Sequence, residues 1–457
     1  MKARGPVTVA LLCATPLVLW TMSEPTGPRF ADARSALSSA AVLVALAGAT
    51  AFALNLVLGA RFRAVDAFFG GVDKMYRFHR VNGRITFALL GCHAGLIVWS
   101  RATISASSAL SLFAPAGDVV VFLGVVALAI GALTLALTLY ARLGHELFVY
   151  AHRLFGVSFL AGTIHMLGSP GIPLPAPVTA YLAAVAAAGL GSYAYRSLFS
   201  NVLVRRHDYL VQRVDRLDNT VVEISMAPVE QPLTYYPGQF VYVTFYSKAF
   251  DANFNPLALH GDADWAVISL RPGEARDQFH PFSLTSSPHE PRLRITVKAV
   301  GDFTSALHAL DEGAAARVEG PYGRFSYLNG SSSSQVWIAG GIGITPFLSM
   351  ARSLKAAGRD IDLYYAFKSS ARAYFLEELL EIAERIPDLR VIPMAEDRSG
   401  FVTAELIEST TRNLRARDVF LCGPPEMVLA LRQQLRGKGL TRRQIHFEEF
   451  SLGHPRA

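Results

Sequence analysis

The sequence predicts a multi-domain membrane protein: a six-helix transmembrane bundle, then an antiparallel β-barrel and an α/β doubly wound domain. Three observations predict it. Residues 6–198 are dominated by Ala, Leu, Val, Gly and Phe in long uncharged runs. From Asp208 to about Phe325 the pattern is short alternating runs broken by turns, and from Gln335 it becomes strand, glycine loop, helix. A chain of 457 residues has room for three domains, drawn at 1–200, 201–329 and 330–457.

Six spans can be placed, roughly at 6–22, 36–58, 82–100, 118–140, 146–167 and 174–198. The run Val119 to Leu139 is the clearest, with no charge across 21 residues. The first follows Lys2 and Arg4, so a signal peptide competes with a helix; no small-x-small cleavage site precedes Thr21, and it reads as a retained helix. The third span is expected to begin near Met75, which sets His79 at the inner membrane edge. The 59–81 connection carries Arg61, Arg63, Lys74, Arg77 and Arg80, and the exit from the last span has Arg196, Arg205 and Arg206. The 101–117 loop has Arg101 alone and 168–173 has none. Lys and Arg concentrate on the cytoplasmic side, so both termini and the soluble domains are expected in the cytoplasm beneath a plasma or inner membrane.

This topology explains most of the formal charge of +7. No basic stretch is interleaved with aromatics, so nucleic acid is not an expected partner. Cys13, Cys92 and Cys422 form no CxxC and no zinc spacing. Gly330 with Ser331 to Ser334 is the one flexible-looking stretch, and it separates two segments of different pattern.

Four histidines stand in or beside the apolar runs at fixed offsets. His79 and His93 are 14 residues apart, and His152 and His165 are 13 apart. An imidazole in a membrane interior needs a partner that offsets its burial. Two helices with two imidazoles each can hold two stacked haems by bis-histidine ligation, with irons about 20 Å apart across a hydrocarbon core of about 30 Å. Fourteen residues return to nearly the same helix face, whereas thirteen leave the second histidine about 140° away. The second helix is therefore expected to overwind, bend or tilt, which Gly156 and Gly162 would permit.

In the soluble half, alternating runs such as Val221-Val-Glu-Ile-Ser, Gln239-Phe-Val-Tyr-Val-Thr-Phe and Leu293-Arg-Ile-Thr-Val-Lys suggest the barrel. Val336-Trp-Ile-Ala followed by Gly340 to Pro346, with later strands at Ile361–Phe367 and Val419–Cys422, suggests the parallel sheet. The edge string His280-Pro-Phe-Ser-Leu-Thr-Ser presents a ring and hydroxyls suited to a flavin and its ribityl chain. Gly301-Asp-Phe-Thr-Ser runs a glycine turn into a helix whose free amides can bind pyrophosphate. Gly340 to Pro346 would let the backbone approach a second pyrophosphate, and Cys422-Gly-Pro-Pro-Glu lies at the carboxyl edge where open sheets bind ligands.

In order and spacing these motifs resemble the ferredoxin–NADP reductase superfamily and, more narrowly, the NADPH oxidase and ferric reductase family. His280-Pro-Phe-Ser-Leu-Thr-Ser-Ser-Pro, Val300-Gly-Asp-Phe-Thr, Gly340-Gly-Ile-Gly-Ile-Thr-Pro-Phe, Cys422-Gly-Pro and the histidine pairs all match its pattern, over about residues 40–450. Three departures stand out. Ile97 replaces a further histidine usual in the animal oxidases, residues 247–278 are longer than the usual turn, and the chain runs seven residues past Phe450. His145 lies two turns before His152 and reads as a membrane-edge surface histidine.

The resemblance implies an NAD(P)H oxidase or ferric reductase-type flavohaem enzyme carrying FAD and two haems b, and using NADPH in preference to NADH. His79, His93, His152 and His165 would be the axial iron ligands. FAD would meet His280, Pro281, Phe282, Ser283 and Thr285, then Lys298, Val300, Gly301, Phe303 and Thr304. The nucleotide would meet Gly340, Gly341, Ile342, Gly343, Ile344, Thr345 and Pro346, then Cys422, Gly423 and Pro424. Lys368 and Arg372, after the second strand of the nucleotide domain, would read the 2′-phosphate. Ser283, Cys422 and Phe450 are the expected catalytic residues, Phe450 covering the flavin. The acceptor would be dioxygen, giving superoxide, or a ferric chelate, and the competing reading is an electron-transfer module reducing a periplasmic or extracellular partner protein.

Overall fold

The computed structural model describes residues 4–25, 29–114, 118–141, 143, 145–169, 174–246, 279–355 and 358–448, apart from the side chains of Asp73, His145 and Glu146. The 247–278 segment and Phe450 lie outside these residues, as does the side chain of His145. The chain divides into two compact units, Met1–Val204 and Arg205–Ala457.

Among the described residues the first unit consists of helices, six of them long and apolar enough to cross a membrane. They are Arg4–Met22, Ala33–Gly59, Val72–Ala102, Val119–Tyr140, His145–Gly168 and Ala176–Tyr193, the last continuing through one π turn to Leu198. Polar caps mark where two of the charge-free runs begin. Asp32 accepts from the Ser35 amide at 2.7 Å, and Asp118 accepts from the amides of Val120 and Val121 at 2.8 and 3.2 Å. The third helix starts at Val72, three residues before Met75. The first is packed into the bundle, since the Tyr181 hydroxyl donates to the Leu12 carbonyl at 2.7 Å.

Inside the bundle Phe52, Ala53, Phe155, Phe159 and Ala186 form one apolar cluster, and Trp20, Val42, Leu46, Val178 and Leu182 a second. Leu133, Leu147, Leu160 and Ile164 face outward, an apolar surface suited to lipid rather than water. The fifth helix is a continuous α-helix through both of its histidines. Its Gly156 serves packing rather than bending: a Cβ there would come within 2.2 Å of the Tyr193 ring.

The second unit begins with six antiparallel strands: β1 (His207–Arg216), β2 (Val221–Pro228), β3 (Phe240–Tyr246), β4 (His280–Ser283), β5 (Leu293–Lys298) and β6 (Ala315–Tyr322). Their order is β4-β3-β6-β1-β2-β5, and a bridge between Leu284 and Ile295 nearly closes the barrel. Alternate side chains, among them Val211, Ile224, Val243, Ile295 and Val318, fill its interior.

Five parallel strands follow: β7 (Ser334–Gly340), β8 (Asp360–Phe367), β9 (Leu389–Ala395), β10 (Asp418–Cys422) and β11 (Ile445–Glu448). Their order, β11-β10-β7-β8-β9, reverses direction between β7 and β10. That reversal opens a crevice at the carboxyl ends, the place where doubly wound sheets bind ligands. The serine stretch before β7 is tied down. Ser331 Oγ and the Ser332 amide donate to the buried Asp418 carboxylate at 3.0 and 2.7 Å.

The turn between β1 and β2 reaches the nucleotide sheet through Asp218, which accepts from the Tyr374 hydroxyl beyond β8. It also accepts from the Thr220 amide at 2.6 Å, the Thr220 hydroxyl at 2.9 Å and the Val221 amide at 2.8 Å. Partial burial alone would raise the carboxyl pKa; these bonds outweigh it and lower the value from 3.8 to about 2. Because the folded pKa lies below the unfolded one, the stability this contributes is full above about pH 4 and is lost as pH falls toward 2. Asp218→Asn is expected to lower the thermal midpoint of the detergent-solubilised chain near neutral pH. The gap from wild type should shrink between about pH 4 and pH 2. A gap that stays constant through that range would refute the assignment.

Candidate functional site

The four histidines meet as two pairs. Across the third and fifth spanning helices, His79 faces His152 with ring centroids 6.0 Å apart, and His93 faces His165 at 6.4 Å. Metal–imidazole bonds of about 2.0–2.1 Å on both sides of one ion would separate the ring centres by roughly 6 Å. Each pair therefore fits bis-histidine ligation of an iron, although the two offsets differ by a residue. Phe87 on the third helix and Phe155 and Phe159 on the fifth lie between the pairs, where with Phe52 they form a dry aromatic layer.

Three imidazoles are oriented by the backbone of a neighbouring helix. Nδ1 of His79 donates to the Asn55 carbonyl at 3.2 Å, His93 to Ala41 at 3.0 Å and His165 to Val120 at 3.0 Å. Each bond leaves Nε2 as the coordinating nitrogen and raises its basicity. Nδ1 of His152 is buried and has no hydrogen-bond partner among the described residues. Asn82, one turn after His79, donates to the Asn55 side-chain oxygen at 3.2 Å and to the Ala51 carbonyl at 2.9 Å, tying the third helix to the second beside the His79 bond. A lone amide at that spacing in an apolar helix was the available sequence signal. Gly124 makes room for the His165 ring, since a Cβ there would lie 2.8 Å from it.

On the barrel, β4 is an edge strand paired only with β3 in the sheet order, and it presents His280 to Ser283. The His280 ring stacks on Phe303 at 3.8 Å, with Phe282 beside it at 6.4 Å, which brings the strand and the Gly301 turn together. Ser283 Oγ is buried without a hydrogen-bond partner among the described residues. An unsatisfied hydroxyl on an edge strand, in register with Phe240, suits the polar edge of a flavin.

Several expected flavin contacts have other work. Thr285 is fully buried and its hydroxyl donates to Glu223 at 3.1 Å, so it does not face a ligand. The Thr304 hydroxyl accepts from the amides of Val300 and Gly301 at 2.9 and 3.0 Å. It caps the turn, and those two amides are not free for pyrophosphate. The Val300 side chain and Lys298, at the end of β5, are exposed.

At the crevice the glycines divide into two kinds. A Cβ on Gly343 would lie 2.4 Å from the Cys422 carbonyl, and one on Gly423 would lie 3.1 Å from the Gly340 backbone. Gly340, Gly343 and Gly423 thus let the two loops of the crevice pack together, instead of all serving a pyrophosphate. Gly341 alone in this loop adopts a left-handed φ of +54° and would have open space above a Cβ. It is the position where backbone can meet a nucleotide. Ile344 is buried at the end of the loop, and Thr345 and Pro346 are buried in the first turn of the helix Thr345–Arg352. Pro424 is exposed at the crevice rim. Cys422 is fully buried, and that burial, reinforced by Glu448, pushes its thiol pKa well above the ordinary value. It is a neutral thiol in the core rather than a nucleophile. Lys368 and Arg372 stand exposed just past the carboxyl end of β8.

Comparison with known proteins covers both units. Residues 44–163 match the family described as ferric reductase like transmembrane component, and residues 337–433 match the oxidoreductase NAD-binding domain. The chain is similar to the glycine betaine monooxygenase reductase subunit of Chromohalobacter salexigens, 31% identical over 37% of this chain and 50% of that one. It is also similar to the propane 2-monooxygenase reductase component of Rhodococcus jostii, 24% identical over 53% of this chain and 62% of that one. Flavohemoprotein A of Dictyostelium discoideum is 27% identical over 46% of this chain and 56% of its own. The chain thus spans 50–62% of the length of these relatives. It joins a segment similar to the ferric reductase like transmembrane component to one similar to the oxidoreductase NAD-binding domain.

Proposed function

We propose that the chain carries electrons from cytoplasmic NAD(P)H across the membrane to an acceptor on the far side, either dioxygen or a ferric chelate. The observation that carries this reading is the two facing imidazole pairs, 6.0 and 6.4 Å apart, on two membrane-length helices of a chain that also holds a reductase module. When bound, FAD supplies the exchange of a two-electron hydride for single electrons, and haem b on each histidine pair supplies one-electron carriage.

The protein's part is to bind, orient and insulate. Gly341 offers backbone at the crevice, with Lys368 and Arg372 placed for a ribose phosphate. The Ser283 hydroxyl, in register with Phe240 on the edge strand, supplies a donor that a flavin edge would accept. His79, His93, His152 and His165 offer Nε2 to iron, three of them held by helix carbonyls. The phenylalanine layer keeps water from the space between the pairs.

NADPH consumption by purified, haem-loaded protein, measured with superoxide dismutase and ferric chelates as competing probes, tests the acceptor. Chelate reduction unaffected by the dismutase marks direct ferric reduction, and reduction that it suppresses marks superoxide. Failure of both, with the haems still reduced by NADPH, favours a partner protein as acceptor.

Pyridine haemochrome analysis is expected to return two haems per chain. His93→Ala or His165→Ala should remove the outer one and leave the inner. One haem or none in fully loaded wild type would end the haem reading.

Preference for NADPH follows from Lys368 and Arg372. Losing one charge-assisted contact to a phosphate costs about 1.5–3 kcal/mol. Lys368→Ala and Arg372→Ala should therefore raise the KM for NADPH roughly tenfold or more and leave that for NADH nearly unchanged. Equal effects on both nucleotides, or a wild type that prefers NADH, would refute it.

A further inference from the structure

One short helix, Thr345–Arg352, runs from the nucleotide crevice to the strand of the candidate flavin site. It begins four residues after Gly341. At and just past its other end it is bonded to three consecutive residues, Thr285 to Ser287, two of them through their backbone carbonyls. Ser349 Oγ donates to the Ser286 carbonyl at 2.6 Å, and Ser353 Oγ donates to Ser287 Oγ at 3.1 Å. Arg352 Nη1 donates to the Thr285 carbonyl at 2.8 Å. The Tyr235 hydroxyl holds Ser286 from the other side, 2.8 Å from its Oγ.

Arg352 is the centre of this joint. Its side chain is 5% exposed. Nε and Nη2 grip the Glu378 carboxylate at 2.6 and 2.8 Å, and Nη1 lies 3.4 Å from Glu223, which also accepts from the Thr285 hydroxyl. A buried ion pair of this kind is weak evidence of a stabilising role, because well-packed apolar residues often serve as well or better. What a guanidinium fork adds is direction: two parallel bonds on one edge fix the plane, and the third donor then has one place to go. Here that place is the carbonyl two residues after Ser283.

We propose that Arg352 is a positioning residue for hydride transfer, holding the Ser283 strand and the Gly341 loop at one fixed separation; this rests on reading those two segments as the flavin and nicotinamide contacts. In that step the C4–H bond of the dihydronicotinamide breaks, its hydrogen and electron pair pass to the flavin, and the nicotinamide leaves oxidised. The transfer depends steeply on distance, so a displacement of about 1 Å costs on the order of a hundredfold in rate. Arg352 touches neither reactant and acts through the Thr285 carbonyl and its own helix.

The test uses the full-length holoprotein under anaerobic stopped-flow with NADPH. Arg352→Gln is expected to slow flavin reduction by roughly tenfold to a hundredfold. It should also abolish the long-wavelength nicotinamide–flavin charge-transfer band, while FAD content and NADPH affinity stay within about twofold. Arg352→Lys should fall between the two, because an ammonium is a point charge without a fork. Glu378→Gln, which keeps the arginine and weakens its grip, should show the same pattern in smaller degree. Flavin reduction unchanged in Arg352→Gln overturns the proposal, and so does a loss of rate matched by loss of FAD. Should Arg352→Gln not fold, a normal charge-transfer band and rate in Glu378→Gln would overturn it. A wild type that retains no FAD, or whose FAD is not reduced by NADPH, fails the underlying site reading instead.

Discussion

An imidazole inside an apolar layer has two ring nitrogens to satisfy, and the first unit is arranged around that need. Nδ1 of His79, His93 and His165 each reaches a main-chain carbonyl on an adjacent helix. Such a bond requires the helices to approach closely at that level, so the neighbours of the histidines are small or specially held. Gly124 yields to the His165 ring, and Asn82 bonds the Asn55 side chain and the Ala51 carbonyl. With Nδ1 of these three rings spent, Nε2 is the nitrogen left for a ligand, and the rings of each pair lie 6.0 and 6.4 Å apart across the helix pair.

In the second unit the corresponding constraint is the reversal of strand order between β7 and β10. A crevice opens there, and two chain segments must turn away from each other within a few residues. Gly340, Gly343 and Gly423 are small because those turns touch, so that the loops form a rigid rim. Gly341 is half-buried, and its left-handed backbone stands clear of that contact, with open space above it. The open face of the loop is thus a by-product of backbone packing beneath it.

The sequence reveals the histidine pairs and the soluble motifs for different reasons. Polar residues in apolar runs are costly, so His79, His93, His152 and His165 announce themselves by position. Order and spacing identify the strands and glycine loops, and β7, β8 and β10 begin within a residue or two of where the pattern puts them. Partnership over long separations leaves no local trace. Thr285 resembles a ligand hydroxyl in its string, yet its acceptor is Glu223, 62 residues earlier. Thr304 resembles a phosphate contact, yet it closes its own turn. A glycine string cannot say whether backbone or ligand fills the space it leaves, and the fifth helix carries both histidines of its 13-residue offset within one continuous α-helix.

Two buried polar atoms in this fold are left without protein partners at telling places. Nδ1 of His152 is one, in the inner histidine pair, and Ser283 Oγ is the other, on the edge strand of the barrel. A buried polar atom with no hydrogen bond costs on the order of 1–3 kcal/mol relative to a satisfied one. Neither deficit arises from poor packing, since His152 lies against Phe148 and Phe155, and Ser283 stands in register with Phe240. A group that bonded either atom in the folded chain, and not in the unfolded one, would add its binding energy to stability. The unmet bond at Ser283 Oγ therefore falls where a hydrogen-bonding ligand would add to the stability of the fold, whereas an iron held on Nε2 of His152 would leave its Nδ1 as it is.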